Sequence, residues 1–195
     1  MTPRFTQEDV LVRAQETPNP FAIKFIMNHS VKSEGKATFY SREECEQLPL
    51  AFSLFDIKGV KQLYFFENTI TMTHDGSLDG ETIESQAYAV IKSRLPIHDS
   101  DFRMPDEQAA RGPVDRSHLS AELQQIEEIL DRTIRPGLQA DGGDLEVLEF
   151  KDNEIKILYQ GACGGCPSAM MGTLDAIQSI LRHEMNIPDL IVYPI

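Results

Sequence analysis

The feature that most constrains the fold of this chain is a break in its apolar pattern near the middle. Residues 96–116 read PIHDSDFRMPDEQAARGPVDR, which contains three prolines, one glycine and many charged side chains. This composition is typical of a linker, because it offers few apolar side chains for a core. A chain of 195 residues can form one core or two small ones. We therefore predict two domains, at residues 15–97 and 117–195, joined by a flexible linker at residues 98–116.

The first region predicts an α+β domain that ends in a helix. Phe21, Ile23, Phe25 and Met27 lie at alternate positions, which is the period of a strand with one buried face. The predicted elements are strands at residues 21–27 and 38–40 that pair with each other, a short helix at 48–55, a hairpin of strands at 60–66 and 69–73, and a helix at 83–95.

The second region predicts the element order α-β-β-α-β. Apolar residues at helical spacing run from Leu119 to Ile134 and again from Met171 to Met185. Between them, residues 145–150 and 154–159 read as a hairpin, and residues 190–193 as a last short strand. The predicted fold class is therefore α+β, with two small two-layer α/β domains.

Composition excludes several classes of function. The net charge of −13 is shared by both halves, with 12 basic and 18 acidic residues in 1–115 and 6 and 13 in 116–195. The absence of a basic stripe argues against nucleic acid as a partner. The apolar runs are too short to cross a bilayer, and the first residues lack the pattern of a secretory signal, so we expect no membrane partner. We find no Ser-His-Asp set, phosphate loop or spaced carboxylate pair, and we expect a protein that is not an enzyme.

Two of the three cysteines, Cys163 and Cys166, lie in the stretch GACGGCPS. Three cysteines offer no disulfide framework, which favours a reducing compartment: the cytoplasm, or the mitochondrial matrix for a processed eukaryotic chain. Pro167 suits the first position of a helix, which places Cys166 at or near its N-cap. Free N–H groups and the helix dipole stabilise thiolates there, and the spacing lets both sulfurs reach one metal centre.

One C-x-x-C motif supplies two ligands, whereas a structural zinc or an iron–sulfur cluster normally needs four. His183 lies 17 residues beyond Cys166, about 25 Å along a straight helix, and is too far away. Cys45 belongs to the other region. We therefore hypothesise that a second copy of the same loop, brought close by a two-fold dimer, completes the site. Three alternatives stay open: an inert pair, a structural zinc, and a dithiol–disulfide oxidoreductase.

Several short motifs carry a resemblance to a known family. In the second region they are Ile134-Arg135-Pro136, Asp141-Gly142-Gly143-Asp144 and the stretch from Gly161 to Ser168. This region resembles the C-terminal domain of NifU, also called the Nfu domain. The first region, with Thr17-Pro18-Asn19-Pro20, Lys24-Phe25 and the stretch from Leu54 to Val60, resembles the N-terminal domain of Nfu-type scaffold proteins.

The resemblance implies a carrier of iron–sulfur clusters. It implies that Cys163 and Cys166 bind a 4Fe-4S cluster that is bridged between two protomers and passed on to apo-proteins. The partners would be a second copy of the chain, upstream assembly proteins and apo client proteins, with the first domain assisting client recognition or stability. The turn at residues 141–144 would serve shape and would supply no ligand.

Two departures from the family pattern concern docking and leave the ligands in place. The family usually has a basic residue soon after a Thr-Leu pair in the helix that follows the cysteines, and here Thr173-Leu174 precedes Asp175. The first domain often has a tryptophan near its last helix, and this chain contains none. We rank the cluster carrier first, the zinc site second and the oxidoreductase third, because a thioredoxin-like motif follows a βαβ unit and carries its proline between the cysteines.

Overall fold

The computed structural model describes residues 5–104, 120–164 and 167–195, and only the backbone of residues 167–171. The chain divides into two compact units, Met1–Met104 and Pro105–Ile195, called unit 1 and unit 2 below. Each unit contains its own sheet and its own helices, so the predicted α+β class is confirmed.

Unit 1 is a five-stranded antiparallel sheet with helices on one face. Its elements are β1 Val12–Glu16, β2 Ala22–Met27, β3 Lys32–Phe39, α1 Pro49–Leu54, β4 Val60–Glu67, β5 Thr69–His74 and α2 Gly80–Arg94. The strand order is β1-β2-β5-β4-β3. The sequence predicts that residues 38–40 pair with β2, and this is wrong: Thr38 and Phe39 form the end of β3, which pairs with β4. Strand β1 had no prediction, because an edge strand reading VRAQE lacks a clear apolar alternation.

The core of unit 1 lies between the sheet and its helices. Alternate residues of the inner strands, among them Phe25, Leu63 and Met72, are fully buried or nearly so. Leu54 of α1 and Ile91 of α2 pack against them from above. Complete burial of each such side chain stabilises the fold by about 1.5–3 kcal/mol.

Residues 98–104 pack on unit 1, although the sequence predicts a linker from residue 98. The His98 Nε2 donates a hydrogen bond to the carbonyl oxygen of Val31 at 2.7 Å. The ring of Phe102 lies 6.1 Å from that of Phe39, between ring centroids. These aromatic contacts explain the difference, because two partly buried rings, those of His98 and Phe102, give this charged segment an apolar anchor.

Lys32 provides a second attachment for the same segment. Its Nζ donates to the carbonyl oxygen of Phe102 at 2.8 Å and lies 4.8 Å from the centroid of that ring. The rest of the predicted linker, residues 105–116, lies outside the described residues. Unit 1 therefore extends to Met104, beyond residue 98, where the predicted linker begins.

Unit 2 is a three-stranded mixed sheet with helices on one face. Its elements are α3 Ala121–Thr133, α4 Arg135–Ala140, β6 Gly143–Lys151, β7 Glu154–Gly161, α5 Pro167–Glu184 and β8 Ile191–Pro194. Strands β6 and β7 form an antiparallel hairpin, and β8 pairs with β7 in parallel. The parallel pairing is possible because α5 returns the chain to the start of the sheet. The order matches the prediction except for α4, a short helix with Pro136 at its start.

The core of unit 2 lies on the face of the sheet that the helices cover. Leu145, Ile157 and Tyr159 point from the hairpin into this core, where they meet Leu130 of α3 and Leu181 of α5. The hairpin therefore has one buried face, and its open end, where β6 begins and β7 ends, is the place from which the cysteine loop starts. None of the helices in the described residues is long and apolar enough to cross a membrane.

The packing of His98 predicts a pH dependence for the stability of unit 1. Burial lowers the pKa of His98, and this outweighs the hydrogen bond to Val31 and the charge of Asp99, which both raise it. A folded pKa below the unfolded value of about 6.5 means that the unfolded state binds more protons. Stability from this group is complete above that value and is lost as the pH falls below it.

We expect His98→Gln, which keeps a donor for Val31 but does not titrate, to lose less unfolding free energy than the wild type between pH 7 and pH 5. Urea unfolding of both proteins across this range measures the difference. Between pH 8 and pH 7, where the imidazole is neutral, the two stability profiles should run parallel. Parallel profiles down to pH 5 would contradict the assignment.

Candidate functional site

Cys163 lies in the loop between β7 and α5, and its side chain is half-buried. The loop is tied to the open end of the hairpin: the amide of Ala162 donates to the carbonyl oxygen of Gly142 at 3.1 Å, and that of Gly164 to Gly161 at 3.0 Å. Cys163 is therefore held by backbone hydrogen bonds on both sides.

Cys166 lies outside the described residues, so its position beside Cys163 stays a prediction. The helix that follows begins at Pro167, as proline at a first helical position favours. The structure thus supplies the start of a helix directly after the C-x-x-C motif, where N–H groups free of helical partners face the preceding loop.

Two adjacent glycines shape the floor beneath Cys163. Gly142 has a φ of +84°, a conformation that a residue with a side chain rarely adopts. Gly143 is required for a different reason, which is contact. A Cβ added to Gly143 would clash with the Cys163 Sγ and would lie 2.9 Å from the Cys163 backbone nitrogen. The Cys163 thiol thus occupies the space that a side chain at Gly143 would fill. The turn at residues 141–144 therefore shapes the site.

The last residue of the same turn, Asp144, belongs to a cluster of ion pairs around the buried Arg135. Its guanidinium contacts Asp131, lies 2.9 Å from the Glu127 Oε2, and lies 3.4 Å from the Asp144 Oδ1. Arg135 Nη2 also donates to the carbonyl oxygen of Leu145 at 3.5 Å. Burial lowers the pKa of Arg135, but the acidic partners outweigh this and raise it overall.

Asp144 is the member of this cluster that joins it to the loop. It is 1% exposed, and its Oδ1 accepts the N–H of Leu145 at 2.7 Å. Gln139 donates to its other oxygen at 3.2 Å. Because Asp144 directly follows Gly143, this cluster fixes the backbone on which Cys163 lies.

Tyr159 adds a polar group close to Cys163. The residue is 5% exposed, and its hydroxyl has no hydrogen-bond partner among the described residues. Burial raises the pKa of Tyr159 to about 12, and the charge of Cys163 adds to the rise. The sequence predicts Tyr159 only as an apolar position of the hairpin, and nothing in the pattern indicates that its hydroxyl lies near the cysteine.

The other residues weighed as ligands lie elsewhere. Cys45 is buried in the core of unit 1, and burial, with added repulsion from Glu44 and Glu43, raises the pKa of its thiol to about 11. His183 is exposed near the end of α5. In the part of the chain that the structure describes, no three His, Cys, Asp or Glu side chains come together as a metal site. A metal centre at Cys163 would therefore need ligands from beyond the described residues.

Comparison with known proteins assigns both units. The family model described as the scaffold protein Nfu/NifU N terminal matches residues 12–97, and the model of the NifU-like domain matches residues 126–191. Each of the two units therefore corresponds to one of these family domains. The chain belongs to the Nfu/NifU-like family of iron–sulfur cluster scaffold proteins.

Full-length relatives show the same similarity. The chain is 31% identical over 174 residues to the human NFU1 iron-sulfur cluster scaffold homolog, mitochondrial, which covers 89% of this chain and 67% of that protein. It is 29% identical to NifU-like protein 5, mitochondrial, of Arabidopsis thaliana, over 91% of this chain and 65% of the relative. The chain therefore spans about two thirds of these relatives. A solution structure of a NifU-like protein from Saccharomyces cerevisiae matches 52% of this chain and 90% of its own, with a TM-score of 0.46 and 18% identity.

The contact between Gly143 and Cys163 predicts the effect of a single methyl group. Gly143→Ala should destabilise the hairpin end of unit 2 by about 1–3 kcal/mol, because the added Cβ displaces a packed backbone. Amide hydrogen exchange of β6 and β7 measures this local loss in the full chain.

Gly172→Ala is the matched control, because Gly172 lies in α5 and an added Cβ there meets nothing within 4 Å. This change should be neutral or stabilise the helix by up to about 1 kcal/mol. Equal exchange rates at the hairpin end in Gly143→Ala and the wild type would show that the contact does not position the loop.

Proposed function

We propose that this chain is a carrier that binds a 4Fe-4S cluster through Cys163 and Cys166 and passes it to apo-proteins. The observation that supports this most directly is the position of Cys163: a half-buried thiol in a loop, whose sulfur occupies the space that a Cβ on Gly143 would need. Thiolate is the ligand that iron–sulfur clusters require. The cluster is the cargo of the protein in this proposal.

The number of ligands supports a shared site. Each chain contributes two cysteines at this loop, whereas a 4Fe-4S cluster takes four thiolates. Cys45 is unsuited to contribute, because it is buried in unit 1 and its thiol keeps its proton. A two-fold axis through the cluster would supply the missing pair, and the second copy of the chain is then a partner whenever the cluster is bound.

A cluster held in this way can also leave. Cys163 lies in a surface loop at one end of unit 2 and is not enclosed by the core, so opening of the seam between two copies would expose the cluster to a client. Such a role needs no group of the protein to make or break bonds in a substrate. It fits a scaffold and carrier that is not an enzyme.

Partners and location follow from the same proposal. The carrier would receive its cluster from upstream assembly proteins and deliver it to apo iron–sulfur proteins. Unit 1 would assist client recognition or stability. Thiolate ligands need a reducing compartment. This is the cytoplasm or, as in the relatives named as mitochondrial, the mitochondrial matrix for a processed eukaryotic chain.

Anaerobic reconstitution with iron and sulfide tests the proposal. The wild type should bind about four irons and four sulfides per two chains, absorb broadly in the visible range and have a dimeric mass in solution. Cys163→Ser and Cys166→Ser should each lose this cluster while keeping the fold. Cys45→Ser is the matched control and should keep the cluster, because its sulfur is buried in unit 1.

Other outcomes would support the alternatives. A colourless dimer with zinc at Cys163 and Cys166 would indicate a structural metal site. A metal-free protein that cycles a disulfide between these two cysteines would indicate an oxidoreductase. Stable cluster binding by both single serine variants would overturn the ligand assignment.

A further inference from the structure

Strand β1 is an outer strand of the sheet of unit 1, so one side of its backbone faces away from β2. In an antiparallel pair, every second residue turns its N–H and C=O groups toward the neighbouring strand. Leu11 belongs to the set that faces β2, because its carbonyl oxygen accepts the amide of Asn28 at 3.2 Å. Val12 and Ala14 belong to the other set and turn their backbone groups to the outer edge of the sheet.

The hydroxyl of Tyr88, in α2, occupies this edge. It accepts the amide of Ala14 at 3.1 Å and donates to the carbonyl oxygen of Val12 at 3.0 Å. One residue of an added parallel strand forms the same two bonds, to the carbonyl of residue i and to the amide of residue i+2. The ring of Tyr88 packs edge-on against that of Phe25, with the ring centroids 6.1 Å apart. The hydroxyl therefore takes the place of a neighbouring strand at the centre of β1.

Other outer edges are closed by comparable contacts. The amide of Ser33 in β3, the opposite outer strand of unit 1, donates to the carbonyl oxygen of Ser100 at 2.9 Å. In unit 2, the amide of Val192 in β8 donates to the Gln178 Oε1 at 3.0 Å, and Pro194 has no amide hydrogen. Such contacts protect a sheet against pairing with another chain, because they use the groups that an added strand would need.

The sequence of β1, VRAQE, is suited to pairing with a second copy of itself. In an antiparallel pair centred on Ala14, Arg13 of one copy lies opposite Gln15 of the other, and Glu16 lies opposite an uncharged residue. No like charges therefore meet directly across the pair. The two Ala14 residues would exchange both of their backbone hydrogen bonds, and the hydroxyl of Tyr88 already holds the amide that this exchange requires.

We propose that Tyr88 blocks the β1 edge: its hydroxyl occupies the backbone groups through which a second copy of the chain would otherwise pair with unit 1. The proposal does not depend on cluster binding, because every group that it uses lies in unit 1. It matters to a carrier that meets its partner at the cysteine loop. Two separate two-fold contacts on one chain, at the loop and at the β1 edge, would allow copies to join into open chains.

Tyr88→Phe in the full chain tests the proposal, because phenylalanine keeps the ring against Phe25 and removes only the hydroxyl. Tyr193→Phe is the matched control, since Tyr193 is 41% exposed in β8. The first measurement is amide hydrogen exchange in reduced, metal-free protein. The Ala14 amide should exchange at least about fivefold faster in Tyr88→Phe than in the wild type, because it loses its hydrogen bond. Exchange in β4 and β5 should not change, and Tyr193→Phe should match the wild type at Ala14.

The second measurement is self-association of the same metal-free proteins by sedimentation equilibrium. The association constant of Tyr88→Phe should be at least about tenfold that of the wild type and of Tyr193→Phe, because two backbone hydrogen bonds become available between the copies. Gln15→Arg, added to Tyr88→Phe, places an arginine opposite Arg13 at two positions and should weaken this association about threefold. Gln15→Glu in the same background places a carboxylate there and should strengthen it by a similar factor.

Three outcomes would overturn the proposal. An unchanged exchange rate at Ala14, or faster exchange throughout β4 and β5, would show that the hydroxyl does not protect the edge itself. Association of Tyr88→Phe at the wild-type level, with a faster Ala14 amide, would show that the open edge attracts no second copy. Equal association of the two double variants at Gln15 would place the contact elsewhere on the chain.

Discussion

The ion pairs of Arg135 are the interaction on which the cysteine end of unit 2 depends. One guanidinium, buried to all but 8%, joins α3 through Glu127 to the start of β6 through Asp144. Burial of a charge is costly unless partners surround it, and removal of one partner from such a cluster typically costs about 3–5 kcal/mol. The cluster therefore ties the end of α3 to the start of β6, directly beside Gly143.

This attachment of α3 to β6 explains how a surface loop can hold a sulfur in a defined place. Cys163 has no secondary structure of its own, and its position comes from the hairpin end beneath it. The Ala162 amide bonds to Gly142, and the thiol fills the space above Gly143. A metal ligand needs a fixed geometry, and the proposed role of Cys163 requires one. The Ala162–Gly142 hydrogen bond and the contact with Gly143 supply it on the side of the hairpin.

Much of the fold could be predicted from the sequence because the apolar periods are clear. The hairpins and the three long helices of the described residues lie where the period of two or of 3.6 residues places them. The failures have local causes. Pro136 reads as the end of a helix, whereas the structure uses it to start α4 directly after α3. The sequence predicts His98 as part of a polar linker. Its hydrogen-bond partner is the carbonyl oxygen of Val31, which is too far away along the chain for a local pattern to indicate.

The sequence predicts less of the candidate site than of the fold. Cys163 could be selected from its spacing and its glycines, but the role of Arg135 depends on contacts between α3, α4 and the start of β6. The register that pairs Leu145 with Tyr159 and Gly143 with Gly161 is a property of the folded hairpin. That register, and not the local pattern, brings Gly143 to the end of the hairpin from which the cysteine loop starts.

The two described cysteines show how far the surroundings of a thiol determine its chemistry. Cys45 and Cys163 are the same residue type in one chain, and neither forms a disulfide. Cys45 is enclosed by the core of unit 1, with Glu43 and Glu44 nearby, so its thiol keeps its proton and donates to the carbonyl oxygen of Arg42 at 3.3 Å. Cys163 instead is partly exposed, in the loop that follows β7. Burial and repulsion keep the first sulfur protonated within the packing, and the ligand role proposed for the second requires its partial exposure.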